Sequence, residues 1–226
     1  MKIRLNIAKY KENVDWASNF KLGTVCVINK DNTGLSNFDD YQIINSNHIN
    51  IALHPYGYEM HSYYLHILNQ YDSLNDWEIF CQGNPFDHCT DFLEKINNIK
   101  TFECEYGYIE FSWLPHIIQR FYGIPKDQEK DYTENIPDLY NRKNRPYGSS
   151  KSLLRSYFFV IPPETACMQP FGMFAVKKEN ILRHNKECYR RLIYEKFNPN
   201  HPAGEPEVRF ALEYGQHIIF DGRYYQ

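Results

Sequence analysis

The chain has 226 residues, with 25 Lys and Arg against 28 Asp and Glu and a formal net charge of −3. That length suits one domain with a sizeable core, the charge balance argues against nucleic acid as a partner, and no apolar run approaches the roughly 18 residues of a membrane-spanning segment. The apolar fraction is rich in rings, 19 Tyr and 15 Phe; tyrosine suits a wall with one dry side and one wet side, and serves equally well in a core.

The opening MKIRLNIAKYK has two early basic residues but lacks the apolar stretch of about 7–15 residues that a signal peptide needs. Six cysteines (Cys26, Cys81, Cys89, Cys104, Cys167 and Cys188) form no C-x-x-C pair. They read as reduced, buried, small side chains of a cytoplasmic protein, without zinc-ligand spacing.

Ile3–Ala8 alternates and predicts a first strand, broken at Lys9-Tyr10-Lys11-Glu12-Asn13. Val14–Ala17 opens a short helix, and Val25–Ile28 is a near-continuous apolar strand that stops at Asn29-Lys30. Strand, polar break, helix, strand is the opening of a parallel α/β sheet. Residues 34–50 read as a polar loop with a short edge strand at Tyr41–Ile44, followed by an apolar segment at Ile49–Leu53.

Gly57–Tyr71 predicts a helix, because Met60, Tyr63, Tyr64, Ile67, Leu68 and Tyr71 make a 3.6-residue stripe. Glu59, Ser62, His66 and Gln70 lie off that stripe. Asp72–Asp76 is a turn, and Trp77–Cys81 a strand covered on both faces. It runs into Gln82-Gly83-Asn84-Pro85-Phe86-Asp87-His88, a polar loop with two backbone breakers. Such loops connect ordinary α/β units. They also stand where open α/β sheets bind ligands, beyond the carboxyl ends of the strands.

Thr90–Ile99 predicts an amphipathic helix, Thr101–Ser112 a strand or hairpin, and Trp113–Tyr122 a helix by the spacing of Leu114, Ile117, Ile118 and Phe121. Residues 126–151 are charged and rich in Asn, Pro and Ser, and read as a surface excursion: a lid, an acceptor-binding loop or a variable loop. Tyr157–Ile161 and Phe171–Val176 predict strands, and Lys178–Phe197 a helix. Glu205–His217 is a last helix with Pro206 in its first turn, and Ile218–Phe220 a final strand.

Few chemical motifs stand out. P-loop, dinucleotide-binding and G-x-S-x-G patterns are missing, and His61 and His66 are wrongly spaced for an HExxH-like pair. Asp87 and His88 beside Asn84 could coordinate a hard cation, hydrogen-bond a sugar or simply be solvated. Glu205, Glu207 and Glu213 share the last helix: a carboxylate there can act as general base toward a hydroxyl, while Glu205 and Glu207 also suit the positive end of the helix dipole.

Several pieces, in order, resemble one family, an uncharacterised one grouped with GT-A-type glycosyltransferases. Ala8–Trp16 is similar to its "ARYxEDVSW" opening, and Ile28-Asn29-Lys30 to its "YNK". Gly57-Tyr58-Glu59 with Tyr63-Tyr64-Leu65 and Tyr71–Leu74 resembles "GREahTYLxxIxxxYddL", and Phe80–His88 resembles "FlQGdPfdH". Gln169–Val176 is similar to "GaqFaVs", and Glu213 with Ile218-Ile219-Phe220 to "ERxWxxIF". Tyr58 and Tyr214 stand where two family motifs carry Arg.

The resemblance implies a single GT-A-like α/β domain over residues 1–226, with a mixed, mostly parallel sheet flanked by helices. It implies a glycosyltransferase that takes a nucleotide-sugar donor and passes the sugar to a glycan or other hydroxyl acceptor. Donor-binding residues would be Ala8, Lys9, Tyr10, Asn29, Lys30, Glu59, Gln82, Asn84 and Gln169, and the base would come from Glu205, Glu207 or Glu213. A Mn²⁺ or Mg²⁺ ion would fall to Asp87 and His88, because Gln82-Gly83-Asn84 replaces the D-x-D triplet that usually ends this strand. The alternatives are a non-catalytic nucleotide- or sugar-binding module and an interaction protein of polysaccharide assembly.

Overall fold

A computed structural model describes residues 1–29, 41–45, 58–112, 117–120, 153–161, 165–168, 172–198 and 208–225, with the backbone alone at 41–45, 117–120 and 165–168. The predicted segments at Ile49–Leu53 and 126–151 lie outside them. Eight strands are described: β1 (Ile3–Lys9), β2 (Gly23–Asn29), β3 (Tyr41–Asn45), β4 (Trp77–Gln82), β5 (Tyr108–Glu110), β6 (Ile117–Arg120), β7 (Thr165–Met168) and β8 (Phe174–Lys177). Six form one open mixed sheet in the order β3-β2-β1-β4-β8-β5, and β6 and β7 pair separately. The first four strands in that order are parallel. β8 runs antiparallel to both β4 and β5.

Helices α1 (Tyr58–Gln70), α2 (Phe92–Asn97), α3 (Lys178–Leu182), α4 (Lys186–Lys196) and α5 (Val208–Phe220) cover the sheet. Alternation along the strands separates two cores. Ala8, Phe80, Phe174 and Val176 face a ring-rich layer that includes Tyr63, Tyr64, Tyr189 and Phe220. Leu5, Ile7, Val27, Trp77 and Ile79 face the other layer, with Ala17, Phe92, Phe102 and Phe111. Tyr64 and Phe174 each stack on Phe220, at 5.9 and 5.4 Å between ring centroids.

α1 is dry on more than its apolar stripe. Ser62 and His66 are buried. They share a face with Glu59 and Gln70, and that face is turned to the sheet: Arg4 Nη1 donates to Gln70 Oε1 at 3.1 Å, and His66 Nε2 lies 3.5 Å from Glu78 Oε2. A Cys-His-Glu row results, with Cys26 Sγ 3.8 Å from His66 Nδ1. Burial pushes the Cys26 thiol up to about 12 and lowers the His66 imidazole against the pull of Glu78. A thiol held protonated is no nucleophile, so the row is a structural network that pins α1 to β1 and β4.

Three predicted elements are overturned. Ile117–Arg120 is strand β6, paired with β7, not part of a helix; two adjacent isoleucines suit a ladder. Tyr157–Ile161 is not a strand: a short helix spans 153–157, and the Leu154 carbonyl accepts from the N–H groups of Phe158 and Val160 at 3.1 Å each. Phe159 terminates it in the left-handed region, φ 56°. Ile218–Phe220 is the last turn of α5, since a fully buried apolar run has no period to separate strand from helix. The predicted Lys178–Phe197 helix is split into α3 and α4, the latter capped by the Asn185 carboxamide, which accepts from the Cys188 N–H at 3.1 Å.

Candidate functional site

The chain lays β1, β2 and β3 outward in one direction, then returns through α1 to place β4 on the other side of β1. The strand order reverses between β1 and β4, although the connections that follow them pack on the same face, through Ala17 and Phe92. Such a reversal is the place where open α/β sheets carry a ligand crevice, beyond the carboxyl ends of their strands. The residues at its mouth follow from the register: Lys9 is paired with Asn29, and Ala8 with Gln82. Lys9 and Asn29 are both buried, polar strand ends at the edge of the sheet. Tyr10, one residue further, is exposed, with Lys11 Nζ 5.0 Å from its ring centroid.

Glu12 shapes the loop after β1. Its Oε2 accepts from the backbone N–H groups of Tyr10 and Lys11 at 2.7 and 3.1 Å. The same carboxylate crosses Gly83, where a Cβ would sit 2.7 Å from Glu12 Oε2. Only glycine admits that approach. Trp16 Nε1 donates to the Gly83 carbonyl at 2.9 Å, and its ring is held edge-on by Phe86 and Phe92. The loop after β1 and the loop after β4 are thus clamped together. Gln82 turns its amide nitrogen into its own loop, donating to Asn84 O at 2.8 Å.

A second wall comes from further along the chain. α1 connects β3 back to β4, so its first turn, with Glu59 half-buried, stands at this edge. β8 runs antiparallel to β4, which brings its start to the same edge. There Gly172 has φ 61°, and a Cβ on it would lie 2.5 Å from Met60 Cε and 3.6 Å from Glu213 Cγ. Glu213, on α5, is buried. Burial, with Glu59, Cys81 and Glu213 around it, pushes the Tyr63 phenol well above its usual range.

Of the residues expected from sequence, Ala8, Lys9, Tyr10, Asn29, Gln82 and Asn84 gather at the ends of β1, β2 and β4, while Glu59 stands in the first turn of α1 and Glu213 on α5 close to Gly172. Asp87 ends a single 3-10 turn at Pro85–Asp87 and is exposed; His88 follows it, and burial lowers its imidazole against the opposing influence of Asp87. Lys30, Gln169, Glu205 and Glu207 lie outside the described residues. Sequence reasoning gave no role to Glu12, Trp16 or Tyr63. Glu12 and Trp16 stand in the first motif and could have been found there; Tyr63 belonged to an apolar stripe and carried no such signal.

No family model matches this chain, and neither does any curated protein or any solved structure.

Proposed function

We propose that the protein is a GT-A-like glycosyltransferase that holds a nucleotide-sugar donor in the crevice between β1 and β4 and transfers the sugar to a hydroxyl of a glycan or other acceptor. The observation that carries this reading is the reversal of strand order at β1 and β4, with Lys9 and Asn29 at the mouth and Glu213 on the opposite wall. The N-terminus of α1 at this edge also favours a negatively charged ligand.

In this mechanism the acceptor hydroxyl attacks the anomeric carbon while the bond from that carbon to the diphosphate oxygen breaks. Glu213 takes the hydroxyl proton. The Lys9 ammonium faces the charge that builds on the leaving diphosphate, and Tyr10 offers an exposed ring against which a base or sugar can lie. A hard divalent cation needs several oxygen ligands. Among the described residues no group of three His, Cys, Asp or Glu side chains is placed to hold a metal ion, and Gln82-Gly83-Asn84 adds no charge at the end of β4. Asp87 and His88 by themselves do not fit such an ion.

The missing carboxylates at Gln82 and Asn84 favour, as a second reading, a module that binds the donor without turning it over. A thermal-shift panel of UDP, GDP, dTDP and CDP and their sugars, each with and without Mn²⁺, separates the cases. Ligand at 100 times its Kd adds about 2.7 kcal/mol of apparent stability. A shift with one donor, followed by its hydrolysis, is the expected result; a shift without turnover selects the second reading, and no shift with any donor overturns both in favour of an interaction protein.

A further inference from the structure

The turn at 158–161 leaves two large apolar side chains in water. Phe158 and Val160 are buried, while Phe159 is 73% exposed and Ile161 70%. Phe159 also has φ 56°, in the left-handed region that bulky side chains rarely enter and that glycine occupies without steric cost. Glycine would therefore serve the turn better, and the exposed ring calls for a reason outside it. The setting is basic. Residues 153–161 and 177–196 hold eight Lys and Arg against three Glu, a net charge of +5 in a chain whose total is −3. The inner side chains of the turn fix it to these residues. The Tyr157 hydroxyl donates to Glu195 Oε2 at 2.7 Å, and Arg191 Cζ and Lys196 Nζ stand 5.4 and 5.8 Å from the Tyr157 ring centroid. The Phe158 ring lies 5.0 Å from that of His184 and 5.7 Å from that of Tyr189. Exposed neighbours are Arg155, one helical turn before Phe159, Leu182 and Arg183 at the end of α3, and Arg190 and Tyr194 on α4. Glu187 pairs with Arg190 and Glu195 with Arg191, at 2.6 and 3.2 Å, which offsets only part of the positive charge.

We propose that this surface docks on an anionic phospholipid bilayer, with Phe159 and Ile161 entering the interface and the surrounding Arg and Lys facing the headgroups. Exposed apolar side chains ringed by cations are the composition of an interfacial anchor. Each cation near an anionic leaflet adds attraction, within a Debye length of about 10 Å at 0.1 M salt. The charge also argues against the other occupants. A second copy would bring one basic surface against another, and like charges oppose such pairing. A folded partner needs roughly 800 Å² on each side, far more than a Phe and an Ile supply, whereas a bilayer takes up single side chains. The docking is peripheral: no helix among the described residues is long and apolar enough to cross a membrane. The proposal goes beyond the glycosyltransferase reading and holds whatever the crevice between β1 and β4 binds.

The test is flotation of the full chain with vesicles of phosphatidylcholine alone and with about 30% phosphatidylserine added. Wild type is expected to float with the anionic vesicles and not with the neutral ones, and to be released when salt is raised from about 0.1 to about 0.5 M. The double variant Phe159→Gly, Ile161→Ser is expected to bind the anionic vesicles at least about tenfold more weakly. Its Tm should match or exceed that of wild type, because glycine relieves the strained φ and both side chains it loses are exposed. Arg155→Glu should weaken anionic binding with Tm unchanged. No flotation of wild type with anionic vesicles overturns the proposal in favour of a protein partner. Full binding by the double variant overturns it as well, since the turn is then not the anchor. A clear fall in Tm on Phe159→Gly by itself assigns the ring to the fold and overturns it too. So does a dimer of wild type in sedimentation that the double variant abolishes, which would give the surface to a second copy. None of these outcomes bears on the donor response of the crevice, which the thermal-shift panel reads separately.

Discussion

Replacing Glu78 with leucine probes the bond between α1 and the sheet. Glu78 is fully buried in β4. Its Oε2 accepts from Asn6 Nδ2 at 2.8 Å, and its Oε1 accepts from the Asn75 N–H at 2.8 Å. Arg4 Nη1 stands 4.0 Å from Oε1, with its side chain only 11% exposed. Leucine removes both hydrogen bonds and the charge that faces Arg4, although Arg4 keeps Gln70 Oε1 at 3.1 Å. Breaking a buried network from one side in this way costs about 3–5 kcal/mol, a large part of the roughly 5–15 kcal/mol that holds a domain folded. Glu78→Gln keeps the shape and an acceptor for Asn75, so about 1.5–3 kcal/mol is expected from loss of the charge-assisted bonds. The double variant Arg4→Met, Glu78→Leu removes both ions and should be less destabilised than Glu78→Leu by itself. Urea unfolding followed by tryptophan fluorescence reads these differences, with Trp77 buried one residue away in the same strand. At a slope of about 2–3 kcal/mol per molar, Glu78→Leu should lower the midpoint by about 1–2 M. A loss below about 1 kcal/mol, or a double variant worse than the single, would refute the reasoning.

Two further predictions concern the site and the response to acid. Gly83→Ala puts a Cβ 2.7 Å from Glu12 Oε2 and 2.8 Å from Glu12 Cβ, so the Glu12 carboxylate must leave the N–H groups of Tyr10 and Lys11. A stability loss of about 1 kcal/mol, with most of the donor-induced thermal shift gone, is expected; a full shift in this variant would separate the clamp from binding. Burial lowers His217 to about 3, with Arg223 adding to the effect, and lowers His66 below the usual histidine value of 6.5. Below pH 6.5 the unfolded chain therefore takes up protons that the folded chain refuses. The stability these two histidines contribute is complete above pH 6.5 and falls as pH drops, at about 1.4 kcal/mol per unit for each imidazole. Urea midpoints measured between pH 7 and 5 should fall with this sign, and His217→Gln should flatten the slope; a midpoint that rises toward pH 5 would contradict it.

Much of the sheet was legible because strand-forming runs end in abrupt polar breaks. Ile3–Ala8, Val25–Ile28, Tyr41–Ile44 and Trp77–Cys81 are strands within a residue or two of the observed ends, and the breaks at Lys9, Asn29 and Gln82 pointed to the edge where the candidate site stands. The short apolar run Ile218–Phe220 was ambiguous for a physical reason: burial on every side erases the period that separates strand from helix. The polar residues of α1 show what tertiary structure had to decide. Their spacing put Glu59, Ser62, His66 and Gln70 off the apolar stripe, which ordinarily means solvent. The fold turns that face to the sheet, where Gln70 accepts from Arg4 and His66 stands 3.5 Å from Glu78, both inside the protein. The same holds for the site. Sequence could place Lys9, Gln82 and Glu213 at the ends or on the faces of their own elements. Bringing Glu59, Gly172 and Glu213 to one edge required the reversal at β1 and β4 and the antiparallel entry of β8, because strand order is set by long-range burial that no local pattern records.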